Sequence, residues 1–142
     1  MPLGRKIIKL NRSKSQIKVR YAETDQMGVV HHANHALYLE ISRLDWLEQL
    51  GFSYAIMEQE GIKLPVVSLS VNYKLPLYFE ELITVECVLT QAPSAKMVFD
   101  YVIYNSKGQL AATASTILVF VDMKTNKPIK CPDAILKALQ LI

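Results

Sequence analysis

The sequence is short of the features that announce several protein classes. It has two cysteines in 142 residues. Cys87 lies in an apolar run and Cys131 precedes a proline. They share no metal or redox spacing, so two reduced thiols are expected and a disulfide scaffold is excluded. No apolar run approaches the ~20 residues needed to span a bilayer. Met-Pro-Leu-Gly-Arg-Lys is not followed by the apolar core of a signal peptide. A cytoplasmic protein with no membrane insertion is therefore expected. Neither sign of charge dominates: 16 Lys and Arg against 13 Asp and Glu leave +3. That is too little, and too evenly spread, for a nucleic-acid surface, although it helps attract an anionic small molecule or an acidic carrier protein. The basic residues denser in the first twenty positions read as a solvated terminus. Repeats, linkers and low-complexity stretches are absent. What remains is one domain, residues 1–142, long enough to bury a core. Its 51% hydrophobic and 20% charged content sits slightly to either side of ordinary globular usage. The surplus apolar residues suggest surface buried between subunits.

The apolar period changes along the chain. Residues 1–14 read as a frayed lead-in. From Gln16, Ile17, Val19 and Tyr21 alternate with Lys18 and Arg20, which predicts a half-buried strand. Asp25 to Gly28 reads as a turn. Leu37, Ile41, Leu44 and Leu47 then recur at helical spacing, and Gly51 is a C-terminal stop, so a helix over Ala33–Leu50 is expected with Leu37, Ile41 and Leu44 in the core. A shorter helix spans Ser53–Glu60. After Leu64 the period switches to two. Val67 to Tyr73, Ile83 to Leu89 and Met97 to Ile103 read as strands, and Asn105-Ser-Lys-Gly108 as a hairpin connection. The run from Ala112 to Met123 is apolar on both faces, as in a strand at the middle of a sheet. A short helix over Pro132–Leu141 ends the chain. The simplest architecture is α+β: an antiparallel sheet wrapped around one long helix. One sheet face is left for pairing between subunits.

The stretch Tyr21-Ala-Glu-Thr-Asp25-Gln-Met-Gly28-Val-Val-His31-His32-Ala-Asn34-His35 carries the chemistry. It sets a carboxylate and a glycine turn directly before the long helix. Free N–H groups at a helix start can hold a developing negative charge, and a nearby carboxylate can act beside it as nucleophile or general base. Asp25 alone reads first as a capping or turn aspartate, and the whole motif reverses that reading. His31 and His35 are four apart, and with Asp25 they could form a metal site, which makes a His-ligated hydrolase a rival reading. No second acidic or cysteine ligand has matching spacing. Tyr21 reads as a core aromatic or a site residue. Lys74 and Lys96 could meet phosphates or simply sit in water at strand ends.

The pattern Val19-x-Tyr21-x-x-x-Asp25-x-x-Gly28-x-Val30-x-His32-x-Asn34, with Glu40-x-x-Arg43 following, resembles the hotdog-fold 4-hydroxybenzoyl-CoA thioesterase family, nearest the acyl-CoA thioesterases associated with the Tol–Pal system. The resemblance covers about residues 15 to 125. It implies that Asp25 attacks the thioester or activates water and that the His32 N–H polarises the carbonyl. It places Tyr21 and the His32 side chain in the same site; Gly28, Val30, His31, Asn34 and Lys74 are expected beside them as substrate-binding positions. It implies an acyl-CoA substrate, or one on an acyl carrier protein, with neither metal nor bound cofactor. It also implies a homodimer or homotetramer with sites at subunit boundaries. His31 and His35 depart from the family, which usually has an aromatic residue and a tyrosine at those positions; both changes bear on the acyl pocket. The alternative is a non-catalytic module that binds acyl-CoA.

Overall fold

The structure, a computed structural model, describes residues 12–142. Most of the expected lead-in, residues 1–11, lies outside the described residues. The elements run β1 (Arg12–Lys18), α1 (His35–Gln49), α2 (Tyr54–Gln59), β2 (Ile62–Lys63), β3 (Val66–Tyr73), β4 (Leu82–Leu89), β5 (Lys96–Tyr104), β6 (Leu110–Val119), β7 (Val121–Asp122), β8 (Lys127–Pro128) and α3 (Asp133–Ala138). One antiparallel sheet has the order β1-β4-β5-β6-β3, and a small second sheet the order β2-β7-β8. The long helix α1 packs against β1 and β4. This is the expected hotdog arrangement, a sheet curled around its helix.

Period-two alternation is realised most cleanly in the middle of the sheet. Ile83, Val85, Cys87 and Leu89 of β4 are buried, as are Met97, Phe99, Tyr101 and Ile103 of β5. β6 lies between β5 and β3, and its inward positions Ala112, Ala114, Thr116 and Leu118 are buried while Ile117 and Val119 are half-buried. The doubly apolar run therefore marks an interior strand, as its composition implies. Asn105 and Gly108 close the β5–β6 hairpin through the Gly108 N–H to the Asn105 carbonyl.

Four expectations are corrected. β1 starts at Arg12, so residues 12–14 are strand rather than lead-in. Its buried side chains are Ser13 and Ser15. The chain leaves the strand before Tyr21, which sits in a 3-10 turn (Tyr21–Glu23) and is 75% exposed rather than facing the core. The helical stripe is rotated as well. α1 buries His35, Tyr38, Leu39, Ser42, Trp46 and Leu47. Leu37, Ile41 and Leu44 are 42%, 39% and 41% exposed. Tyr38, Leu39, Trp46 and Leu47 stabilise the helix on the sheet by about 1.5–3 kcal/mol each, by removing their apolar surface from water. The apolar spacing was read correctly, but two apolar stripes run along this helix and the aromatic one faces inward. β3 differs in the same sense: it is an edge strand, and Val67, Leu69 and Tyr73 are exposed.

Candidate active site

Asp25 sits in a loop closed on itself by backbone. The Thr24–Val30 bridge and the Asp25 N–H to Val29 carbonyl bond of 2.8 Å make it a small hairpin. Gly28 turns it with φ +76°, a left-handed conformation that a side chain disfavours. The loop is held along residues 77–79 by three contacts: the Val30 N–H to Leu77 carbonyl, the Phe79 N–H to Gly28 carbonyl, and the Val29–Tyr78 bridge. Asp25 Oδ1 accepts the Met27 N–H at 2.8 Å and the Val29 N–H at 3.1 Å. Among the described residues Oδ2 accepts no hydrogen bond. One carboxylate oxygen thus anchors the side chain and the other faces outward.

The helix start is reached three residues after the loop. A 3-10 turn, His32–Asn34, leads into α1. Here the amides can be accounted for singly. The His31 N–H donates to the Glu23 carbonyl at 2.9 Å, and the Asn34 N–H to the His31 carbonyl at 2.9 Å. The Ala33 N–H donates to His31 Nδ1 at 3.2 Å. Among the described residues the His32 N–H donates to nothing. It is the uncommitted donor at the positive end of the helix.

Glu23 ties loop and helix together, and the sequence reading missed it. Its side chain is 4% exposed. Its carboxylate accepts the Arg20 N–H at 2.9 Å, the Arg20 Nε–H at 2.7 Å and the Tyr38 hydroxyl at 2.9 Å. Its carbonyl accepts the His31 N–H and, at 2.8 Å, the Asn34 side-chain amide. Burial pushes the Glu23 carboxyl up, but the Arg20 backbone and side chain and the Tyr38 hydroxyl outweigh it and hold it below the ordinary value. Burial and the Glu23 carboxylate both push the Tyr38 phenol well up. The only signal in the sequence was a Glu two positions before Asp25, unremarkable without the fold.

Tyr73, from the edge strand β3, was read only as a strand residue. Its hydroxyl donates to the His32 carbonyl at 2.9 Å, and its ring stands edge-on to His35 at 4.7 Å. His35 is 4% exposed, its Nδ1 has no partner among the described residues, and burial first of all lowers its pKa.

The remaining expected site residues are dispersed in role. The His31 and His32 rings stack at 4.2 Å. Tyr21 meets Phe79 edge-on at 5.5 Å, on the same exposed side as the loop. The Val30 side chain is in the core. Lys74 is exposed just beyond β3, its N–H bonded to the Ala111 carbonyl. Among the described residues no three His, Cys, Asp or Glu side chains converge as metal ligands would. Met27, Tyr78 and Phe79 are 83%, 48% and 42% exposed around Asp25. In the isolated chain the site is an open apolar surface rather than a cleft. A cavity of about 280 Å³ lies further along α1, reaching from Arg43 and Trp46 to Phe99 and Leu118.

Known proteins similar to this chain share its fold and class. The model of the thioesterase-like superfamily matches residues 19–139. A candidate acyl-CoA thioesterase of Bacillus subtilis, YneP, is 42% identical over 118 residues, covering 83% of this chain and 86% of the relative. The long-chain acyl-CoA thioesterase FadM of Escherichia coli is 32% identical over 115 residues, covering 80% and 86%. The crystal structure of a DHNA-CoA thioesterase from Staphylococcus aureus superposes with a TM-score of 0.84 at 42% identity, covering 92% of each chain. No helix among the described residues is long and apolar enough to cross a membrane.

Proposed function

The chain belongs to the thioesterase-like superfamily and is a thioester hydrolase, and we propose that it cleaves acyl-CoA thioesters with Asp25 as its catalytic carboxylate and the His32 N–H as its oxyanion donor. One observation carries the reading: a carboxylate oxygen left free by its own loop lies a few residues before the His32 N–H, which among the described residues is uncommitted at the start of the helix. A thioester carbonyl lodged between them gains a donor for the charge that develops on its oxygen. In the general-base route Oδ2 removes a proton from water, and the hydroxide oxygen bonds to the carbonyl carbon. The oxyanion then collapses, the C–S bond breaks, and the CoA thiolate takes the proton back from Asp25. In the nucleophilic route Oδ2 itself bonds to that carbon, expels the thiolate and leaves a mixed anhydride for water to open. Both routes use the same oxygen, because Oδ1 is engaged by two amides.

The exposed apolar ring of Tyr21, Met27, Tyr78 and Phe79 supports a site completed by another surface. The edge of β3 and the exposed stripe Leu37–Ile41–Leu44 support a second copy of this chain as that surface. The assembly is a homodimer at least, and a homotetramer if a further face pairs. The cell compartment proposed is the cytoplasm, where acyl-CoA is made. The acyl group offered could equally ride on an acyl carrier protein, whose acidic surface suits a chain of net charge +3.

The test is Asp25→Asn, assayed by release of free CoA thiol. Asn keeps an oxygen for the Met27 and Val29 amides, so the loop persists while the base or nucleophile is gone. The expected loss is about 10³-fold or more in kcat, the scale of removing an essential general base or nucleophile. Activity within a few-fold of wild type would remove Asp25 from the mechanism. An active species sedimenting as a monomer would remove the shared site.

A further inference from the structure

We propose that Asn34 is a positioning residue: its side chain does not touch substrate but braces the peptide that carries the His32 N–H against the Asp25 loop. The assignment rests on the Asp25 and His32 mechanism above, and it departs from the substrate-binding role expected of Asn34 from the sequence. Asn34 stands directly before α1, where an asparagine side chain ordinarily caps the helix. Here it makes no capping hydrogen bond. His31 Nδ1 accepts the Ala33 N–H and caps the turn ahead of α1 in its place. The Asn34 side chain instead reaches back 11 positions and donates from Nδ2 to the Glu23 carbonyl at 2.8 Å. A carbonyl can only accept, so the orientation of the Asn34 amide is fixed.

Three hydrogen bonds close a ring around the oxyanion peptide. The Asn34 N–H donates to the His31 carbonyl at 2.9 Å, and the His31 N–H donates to the Glu23 carbonyl at 2.9 Å. Asn34 Nδ2 closes the ring on that same Glu23 oxygen. The His31 carbonyl and the His32 N–H belong to one planar peptide unit. Holding that unit by its own oxygen, and the peptide before it by the His31 N–H, fixes the direction in which the His32 N–H points. A peptide whose carbonyl accepts a hydrogen bond is also polarised, which strengthens its N–H as a donor. Without the side-chain bond the turn is tied to Glu23 by the His31 N–H alone, and it can pivot about that contact.

The reference point is rigid and close to the acid. Glu23 is 4% exposed, and its carboxylate is held by Arg20 and by the Tyr38 hydroxyl of α1. Its carbonyl has two lone pairs, and both are taken. Asp25 follows two residues later, within about 7 Å along the chain. The Thr24–Val30 bridge carries the same stretch into the Asp25 loop. Acid and amide are thus both located from one carbonyl oxygen. Negative charge on the substrate oxygen develops in the transition state, so a displaced donor lowers the rate more than it weakens binding. A displacement of ~1 Å can cost about 10²-fold.

The experiment measures kcat, KM and Tm of full-length Asn34→Ala and Asn34→Asp by release of free thiol from benzoyl-CoA and hexanoyl-CoA. Asn34→Ala should lower kcat about thirtyfold with KM within about twofold. Its Tm should fall by no more than about 5 °C, because the Glu23 carbonyl keeps the His31 N–H. Asn34→Asp keeps the size but sets an oxygen against that carbonyl, so its kcat should be no higher than that of Asn34→Ala. Ser15→Ala is the control. It removes a hydrogen bond from β1 to Asp45 of α1, about 16 Å along the helix from Asn34, and should lower Tm with kcat unchanged. Hydrogen exchange at the His31 amide, followed by NMR without substrate, should quicken about tenfold in Asn34→Ala and not in Ser15→Ala. A raised KM at unchanged kcat would make Asn34 a substrate contact and overturn the proposal. Wild-type kcat in Asn34→Asp, or an unchanged His31 exchange rate in Asn34→Ala, would overturn it too. The two readings fail separately. An inactive Asp25→Asn beside a fully active Asn34→Ala would sink the brace and leave the mechanism. Wild-type turnover by Asp25→Asn would sink the mechanism, while a kcat loss with quickened His31 exchange in Asn34→Ala would keep the brace.

Discussion

Replacing Glu23 by Gln exchanges one oxygen for an amide nitrogen at the most heavily used acceptor near the Asp25 loop. The wild-type carboxylate takes three donors: the Arg20 N–H, the Arg20 Nε–H and the Tyr38 hydroxyl. Gln retains one oxygen and turns an NH₂ toward the remaining donors, so at least one contact becomes donor against donor. A hydrogen bond to a charged group contributes about 1.5–3 kcal/mol. The Arg20 side chain is 73% exposed, so its ionic part is screened and the lower half of that range applies. The expected loss is about 2 kcal/mol, or about 8 °C in Tm for a chain of this size. The pH dependence gives a second signature. The folded-state carboxyl is held below its ordinary value, so its contribution is fully present above the unfolded pKa and is lost as pH falls through the folded one. Thermal melts of both proteins from pH 7 to pH 3 should therefore converge in acid. Equal Tm at pH 7, or a gap that stays constant down to pH 3, would refute the account of Glu23 as a charged clamp.

Two further outcomes follow from contacts around the site. Tyr73→Phe removes the hydroxyl that holds the His32 carbonyl; it should cost no more than about 1 kcal/mol of stability and lower kcat about tenfold with KM within about twofold, as expected when a donor peptide loosens, and a KM-only effect in steady-state assays would contradict it. Burial pushes the Cys87 thiol up to about 12, so in native protein at pH 8 it should stay unreactive toward a thiol-specific reagent and become titratable only in denaturant; rapid native-state labelling at Cys87, read by peptide mass spectrometry, would show that the strand opens.

The parts legible in the sequence were those governed by local periodicity and by chain-adjacent chemistry. β4 and β5 alternate because each has one buried face, and their inward residues were read directly. The turn at Gly28 and the helix after Asn34 announce themselves through residue type. Asp25 and the helix start are only seven positions apart, so their neighbourhood was visible before any fold was known. Tyr21 failed because an alternating pattern was extended past the point where the chain leaves its strand. Glu23 and Tyr73 failed for another reason. One acts through a tyrosine 15 residues away and the other through a backbone carbonyl 41 residues away, and no spacing rule records such contacts.

Sequence alone thus determined the main helices and strands, their order and the presence of an acid before a helix, since those depend on side-chain period and backbone preference within a few residues. It did not determine the small sheet β2-β7-β8, which splits the expected Ala112–Met123 run after Val119. Only the tertiary structure decided which stripe of α1 faces the sheet, which amide at its start is left without an acceptor, and where a cavity remains under Trp46. Each is a residue of packing: it depends on which groups from distant parts of the chain have already claimed the available space and hydrogen bonds.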